Sequence, residues 1–250
     1  MTPPRLQGGE ALINVGNFQI KIEKFWKVFY EHNGYVRVLT GLKNTVLIAV
    51  IGLLLGTVIG TLIASLEVFP KQKGLPWVLN RLGRFYVGLF RGTPIVVQLL
   101  VTYYVILPLL GINLSSLSVC ILVFGLNSGA YVSEIMRSGI LSVDPGQMEA
   151  GRAVGLGYGT TMRKIVVPQA VKNILPTIGN EFIALIKETS VVSFVGALDL
   201  YVAFNYIGTN NYEFMVPYLV MALIYISLAM LISFLVRLME RSLRKSDRSH

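Results

Sequence analysis

Five stretches of the chain stay apolar for twenty residues or more, roughly 42–66, 85–110, 116–136, 176–198 and 216–236, and the polar residues collect between them. A helix crossing the hydrocarbon core of a bilayer needs about 20 mostly apolar residues. Each stretch therefore reads as a spanning helix, and the fold class as an all-α integral membrane protein with five transmembrane helices. The fourth stretch holds Glu181, Lys187 and Glu188, but Phe182 to Leu185 and Val191 to Leu198 around them remain apolar. The second holds Pro94, whose missing N–H predicts a kink.

Charge sets the direction of these spans. Residues 67–84 carry Lys71, Lys73, Arg81 and Arg84, and the loop 137–175 carries Arg137, Arg152, Arg163, Lys164 and Lys172. The tail carries Arg237, Arg241, Arg244, Lys245 and Arg248, whereas the connections 111–115 and 199–215 have no Lys or Arg. With five spans the two sets fall on opposite sides. Cytoplasmic loops are the basic ones, so the N-terminus is expected outside and the C-terminus in the cytoplasm. The N-terminal segment runs against this rule with Arg5, Lys21, Lys24, Lys27 and Arg37, partly offset by Glu10, Glu23 and Glu31. Phe18, Ile22, Phe25 and Phe29 recur there at helical spacing with lysines between them, the pattern of an amphipathic helix lying in the membrane interface. The expected organisation is an N-terminal extension over 1–40, a transmembrane domain over 41–240 and a basic cytoplasmic tail over 241–250. The first seventeen residues lack a basic start followed by an apolar run, so the first span is expected to target the chain.

Composition agrees with a membrane protein: 54% of residues are hydrophobic and 14% charged, against about a quarter charged in soluble domains. The net charge of +9 does not call for nucleic acid, because basic cytoplasmic loops explain it. Cys120 is the one cysteine, and His32 and His250 stand far apart, so no disulfide and no metal site is expected. Gly52, Gly56 and Gly60 recur every four residues in the first span, a spacing that lets helices approach closely in lipid.

The loop between the third and fourth spans is patterned for two short helices. Asp144 suits an N-cap, Pro145 the first helical position, and Gln147 the far corner of a capping box. About ten residues later Gly155 suits the stop, giving a helix roughly 15 Å long. After the Gly155–Gly159 turn, Thr160 is placed to cap a second helix with Met162, Ile165 and Val166 on its apolar side, ended by Pro168. Helices this short rely on packing, either against their own bundle or against a partner. "GLGYG" follows helix rather than strand, and no G-x-x-x-x-G-K-[ST] occurs, so the chain itself carries no nucleotide-binding signature.

Glu149-Ala150-Gly151, Gly155, Ile165 and Val167-Pro168 together resemble the EAA loop of ABC importer permeases, with Gly151 in place of alanine and Val167 in place of leucine. "FRGTP" (Phe90 to Pro94) followed by Gln98, "LNSGAYVSEIMRSGI" (Leu126 to Ile140) and "LIKETSVVSFVG" (Leu185 to Gly196) are similar to the polar amino-acid, histidine/glutamine-type branch. The resemblance covers about residues 35–240. It implies a type I importer permease in the bacterial cytoplasmic membrane, working by alternating access and catalysing no covalent step. The loop residues Glu149, Ala150, Gly151, Gly155, Ile165 and Pro168 would couple it to an ABC ATPase subunit. No cofactor is implied on this chain; ATP and Mg belong to the ATPase. The implied partners are ATPase subunits, a second permease subunit (the same chain or a relative), an extracytoplasmic solute-binding protein, a polar amino acid and membrane lipid.

Polar residues inside spans mark candidate paths. Gln98, Asn127, Ser128, Lys187, Glu188, Thr189 and Ser190 fall at similar depth near the middle of their spans, and Glu181, seven residues before Glu188, shares a face with it and joins the candidate path. Lys187 and Glu188 have two open readings: a buried ion-pair network between helices, or a lining of the translocation path. Glu134 and Arg137, three apart, are expected to pair. Arg91 has equally open readings, snorkelling to headgroups or function. A secondary transporter driven through Glu181 and Glu188 is the alternative class.

Overall fold

In the computed structural model, residues 15–68 and 73–245 are described, and all their regular structure is helical. Arg5, Glu10, Lys71 and Arg248 lie outside the described residues, as do the side chains of Arg244 and Lys245. The helices are α1 (Val15–Glu31), α2 (Gly34–Val68), α3 (Leu75–Gly92), α4 (Ile95–Leu109), α5 (Ser116–Leu141), α6 (Pro145–Ala153), α7 (Tyr158–Val195), α8 (Leu200–Asn211) and α9 (Met215–Lys245). Three of them, α2, α5 and α9, are long and apolar enough to cross a membrane alone; α3 with α4 and α7 with α8 qualify only as bent pairs.

The seam between α2 and α5 organises the bundle. A Cβ on Gly52 would meet Phe124 Cβ at 3.2 Å, one on Gly56 would meet Ser128 Cβ at 2.7 Å, and one on Gly60 would meet Val132 Cβ at 2.8 Å. From the other side, Gly125 receives Leu55 and Gly129 receives Ile59. Interleaved glycines bring two backbones together, which is how helices associate where lipid removes the hydrophobic drive. The paired numbers rise together, so α2 and α5 run parallel and α3–α4 returns between them.

Each bent pair breaks for a local reason. Thr93 precedes a proline and adopts extended angles (φ −124°, ψ 145°), because the ring disfavours the helical region for its neighbour. The helix therefore stops at Gly92, and α4 restarts at 107° to α3. The expected single span over 85–110 with a kink is instead two helices with a full break. The second break follows Gly196 in the left-handed region (φ 74°); Asp199 then caps α8, accepting from Val202 N–H at 2.9 Å, and α8 leaves at 57°. Most of the expected connection 199–215 is thus helix.

Pro168 does not end a helix, contrary to expectation. α7 passes through it and through Pro176; ahead of Pro168, residues Met162–Val166 form a π turn that closes with Val167 N–H on the Met162 carbonyl. A proline ring collides with the carbonyl four residues back, here Lys164, and the wider turn shifts that carbonyl. The same device precedes Pro108, where Leu107 N–H reaches the Thr102 carbonyl across the π turn Thr102–Ile106.

Three apolar clusters fill the structure. The central one joins Ile48, Leu99, Phe124, Leu185, Ile186 and Val192. A second, at the end of the bundle where α2 begins, seats Phe25 and Val28 of α1 against Phe204 and Ile207 of α8 and Val216 of α9. There Lys21 pairs with Glu213 at 3.2 Å, and the Asn211 amide donates to the Lys24 carbonyl at 2.6 Å. The third cluster, at the opposite end, packs Val143, Val166, Ala170 and Ile174 beneath the α6–α7 loop.

Candidate functional site: the α6–α7 loop and the polar residues of the bundle

The loop is a two-helix knob, capped at its start and closed at its far end. Asp144 accepts from Gly146 N–H at 2.8 Å and starts α6 with Pro145. The far end closes in a Schellman motif: Leu156 N–H reaches the Gly151 carbonyl at 3.1 Å and Gly155 N–H the Arg152 carbonyl at 3.0 Å, with Gly155 at φ 87°. Only a residue at ease in the left-handed region completes that motif. Two expected details differ. The Gln147 side chain accepts from Gln169 at 3.2 Å, joining α6 to α7, and does not close a capping box. Gly157 takes the cap position of α7 without a side-chain bond, while Thr160 lies inside the helix.

Gly151 is buried where α6 crosses α7. A Cβ there would press on the Thr161 methyl, and Ile165 Cδ1 would lie 3.2 Å away. Thr161 is itself fully buried and donates to the Gly157 carbonyl at 3.1 Å. The Tyr158 hydroxyl donates to the Val68 carbonyl at 3.1 Å, fastening the loop to the end of α2. Outward, Glu149, Ala150, Arg152 and Ala153 are exposed, and Val154 at the tip is 77% exposed. Of the loop residues singled out in the sequence, Glu149 and Ala150 thus face outward. Gly151 and Ile165 form the internal joint, Gly155 makes the turn, and Pro168 follows the π turn.

The polar residues of the spans do not form one cluster. Gln98 seals the break between α3 and α4: its amide donates to the Phe90 carbonyl at 2.8 Å and to the Thr93 carbonyl and hydroxyl at 3.0 Å. Asn127 donates to Gln98 Oε1 at 3.0 Å. Ser128 lies fully buried in the α2–α5 seam, beside Glu181. Thr189 is fully buried and donates to the Ile186 carbonyl. These placements remove Ser128 and Thr189 from any solvent-facing surface of the subunit. Lys187 and Glu188 are exposed on the subunit, and neither forms an ion pair among the described residues. Glu181 and Ser190 are half-buried.

Two groups were not legible as sites in the sequence. Glu134 pairs with Arg137 at 3.1 Å as expected, and the pair extends to Arg91 at 3.8 Å and to Glu67 at 3.6 Å, tying α2, α3 and α5 together. Arg91 also lies 5.5 Å over the Tyr131 ring. Asp199 is fully buried where α2 meets the second break: Asn44 donates to the Leu198 carbonyl at 2.8 Å, and Leu200 N–H donates to Thr45 Oγ1 at 3.3 Å. The usable signal was an Asp just ahead of Leu200, Ala203, Phe204 and Ile207, a capped helix pattern.

Residues 56–245 match the family described as the binding-protein-dependent transport system inner membrane component. The chain belongs to that family. It is a multi-pass membrane permease component, and its relatives divide by cargo. The arginine transport system permease protein ArtQ of Bacillus subtilis (strain 168) is 36% identical over 210 residues, covering 84% of this chain and 94% of ArtQ. A putative glutamine transport system permease protein, GlnP of Rickettsia bellii (strain RML369-C), is 38% identical over 206 residues, covering 82% and 92% of the two chains. Among solved structures, an amino acid ABC transporter with histidines superposes with a TM-score of 0.78 at 34% identity, covering 86% of this permease and 97% of that chain. The MetNI methionine ABC transporter, at 22% identity and a TM-score of 0.69, shares the fold.

Proposed function

We propose that the chain is the permease subunit of an ATP-driven ABC importer carrying polar amino acids across the bacterial cytoplasmic membrane by alternating access. Likeness to relatives named for arginine and glutamine transport supports the cargo class. Counting each bent pair as one crossing gives five spans. The end of the bundle bearing α6 also bears Arg81, Arg84, Arg137, Arg152, Arg163 and Lys164, so the positive-inside rule places it in the cytoplasm and the N-terminus outside. α1 then lies at the outer interface, with Trp26 and Tyr30 exposed, as aromatic residues are at such boundaries.

The observation carrying the coupling role is the knob itself, a capped helix on a rigid joint with Val154 bare at its tip. Glu149, Ala150 and Val154 present the docking face, while Gly151, Gly155, Ile165 and Pro168 hold its shape. An ABC ATPase subunit receives that face and binds ATP and Mg. A second permease subunit completes the pathway, and a solute-binding protein delivers the amino acid. Glu181, Lys187, Glu188 and Ser190 offer polar surface to the path, while Gln98 and Asn127 hold the α3–α4 break beside it. Family membership favours this mechanism over an ion-gradient-driven one. Val154→Asp tests the docking face: it should strip the ATPase from the solubilised complex while the permease stays monodisperse, and stoichiometric retention would contradict the assignment.

A further inference from the structure

Behind the coupling loop lies a cleft of about 410 Å3 with almost no polar surface. Ala64 and Val68 of α2, Met136 and Ile140 of α5, and Val171 and Ile174 of α7 form its walls. The hydroxyls that reach it are already engaged: Thr61 donates to the Thr57 carbonyl at 2.6 Å, Ser65 to the Leu62 carbonyl at 2.7 Å, and Tyr158 to the Val68 carbonyl at 3.1 Å. The one charged residue in the lining is Arg163. It is exposed and forms no ion pair among the described residues, and Lys164 stands next to it. The cleft opens at the end of α2 and α5, where two spanning helices meet the loop. It therefore combines an apolar trough between spanning helices with one cationic group, Arg163, on the loop side.

We propose that this cleft holds one acyl chain of an anionic phospholipid, with the lipid phosphate at Arg163. The order of chemistry along the cleft is that of a phospholipid, apolar chain first and anion last. Basic pockets between spanning helices recognise such headgroups, and a long cationic side chain reaches the headgroup level readily. A polar solute gains nothing from this lining, whose hydroxyls are turned back on their own helices. Arg163 lies in the π turn Met162–Val166, so the lipid would brace the stretch of α7 from which the coupling knob hangs. The proposal draws on the orientation given above only for the choice of leaflet.

The test uses the permease purified with its ATPase partner in nanodiscs of equal phosphatidylglycerol and phosphatidylcholine, then transferred to detergent, with retained lipid counted by native mass spectrometry. Wild-type protein should retain phosphatidylglycerol about fivefold over phosphatidylcholine, as expected for one basic residue near a lipid phosphate. Arg163→Gln should abolish the preference while still retaining lipid. Val171→Trp, at a half-open wall position, should fill the trough and cut retention of both lipids several-fold. Soluble glycerol phosphate, lacking a chain, should displace nothing. Absence of a preference in the wild type, an unchanged preference in Arg163→Gln, or unchanged retention in Val171→Trp would overturn the site. Displacement by glycerol phosphate would overturn the lipid in favour of a free anion. None of these readouts requires transport, so failure here leaves the importer reading separately testable.

Discussion

Replacing Gly155 isolates the shape of the coupling knob from everything else in the subunit. Its φ of 87° lies in the left-handed region, and no atom beyond its chain neighbours lies within 4 Å of where a Cβ would stand. A side chain there meets no clash, so the penalty is the backbone conformation alone. For an ordinary L-residue that is about 1–2 kcal/mol, and for a β-branched residue it approaches ~3 kcal/mol. At 1.4 kcal/mol per tenfold, Gly155→Val should lower the population of the docking-competent turn roughly a hundredfold. Asparagine visits the left-handed region at little cost, so Gly155→Asn should stay near wild type, with alanine between the two. The assay is ATP-driven amino-acid uptake in proteoliposomes at limiting ATPase subunit, with size-exclusion profiles confirming an intact permease. Undiminished uptake by Gly155→Val would refute the reasoning, and so would asparagine as damaging as valine.

Three further substitutions probe other joints. Gly151→Ala should destabilise the loop by about 1–3 kcal/mol through overpacking on the Thr161 methyl; adding Thr161→Ser, which removes that methyl and keeps the hydroxyl, should restore most of the loss in hydrogen exchange of residues 145–161. Gly56→Leu should drive α2 and α5 apart at Ser128 and lower the melting temperature of the purified permease by several degrees; an unchanged melting temperature would mean the seam is not close-packed. Gln98→Leu strips the Phe90 and Thr93 acceptors of their donor at the α3–α4 break, at about 1–3 kcal/mol per unsatisfied group, and should be measurably less stable than Gln98→Asn with Asn127 intact.

What the sequence disclosed and what it hid follow from how local each cause is. Asp144, Pro145 and Gly155 act within a turn of themselves, so the start and stop of α6 were readable directly. The Gly52, Gly56 and Gly60 stripe was readable as a close contact, but its partners Phe124, Ser128 and Val132 were not, since pairing is set by the whole bundle. The prolines misled most. Pro168 looks like a helix end because its ring clashes with the preceding turn, yet the π turn ahead of it absorbs the clash at the cost of one hydrogen-bond register. Thr93-Pro94 looked milder and proved a complete break, held by Gln98 from the far side. α8 was missed because its Asn and Thr residues dilute its hydropathy, while its buried face of Leu200, Ala203, Phe204 and Ile207 has meaning only against α1 and α2. The burial of Ser128 and Thr189 inside the subunit was hidden because depth along a helix is legible and facing is not.

The most direct test of the importer assignment is uptake by proteoliposomes holding this permease, its ATPase subunit and its solute-binding protein. Labelled arginine, glutamine, histidine and cystine would be supplied outside and ATP inside. Uptake of at least one of them should require both ATP and the binding protein and should survive ionophores that collapse proton and sodium gradients. Uptake that proceeds without ATP and disappears with the ionophore would contradict it.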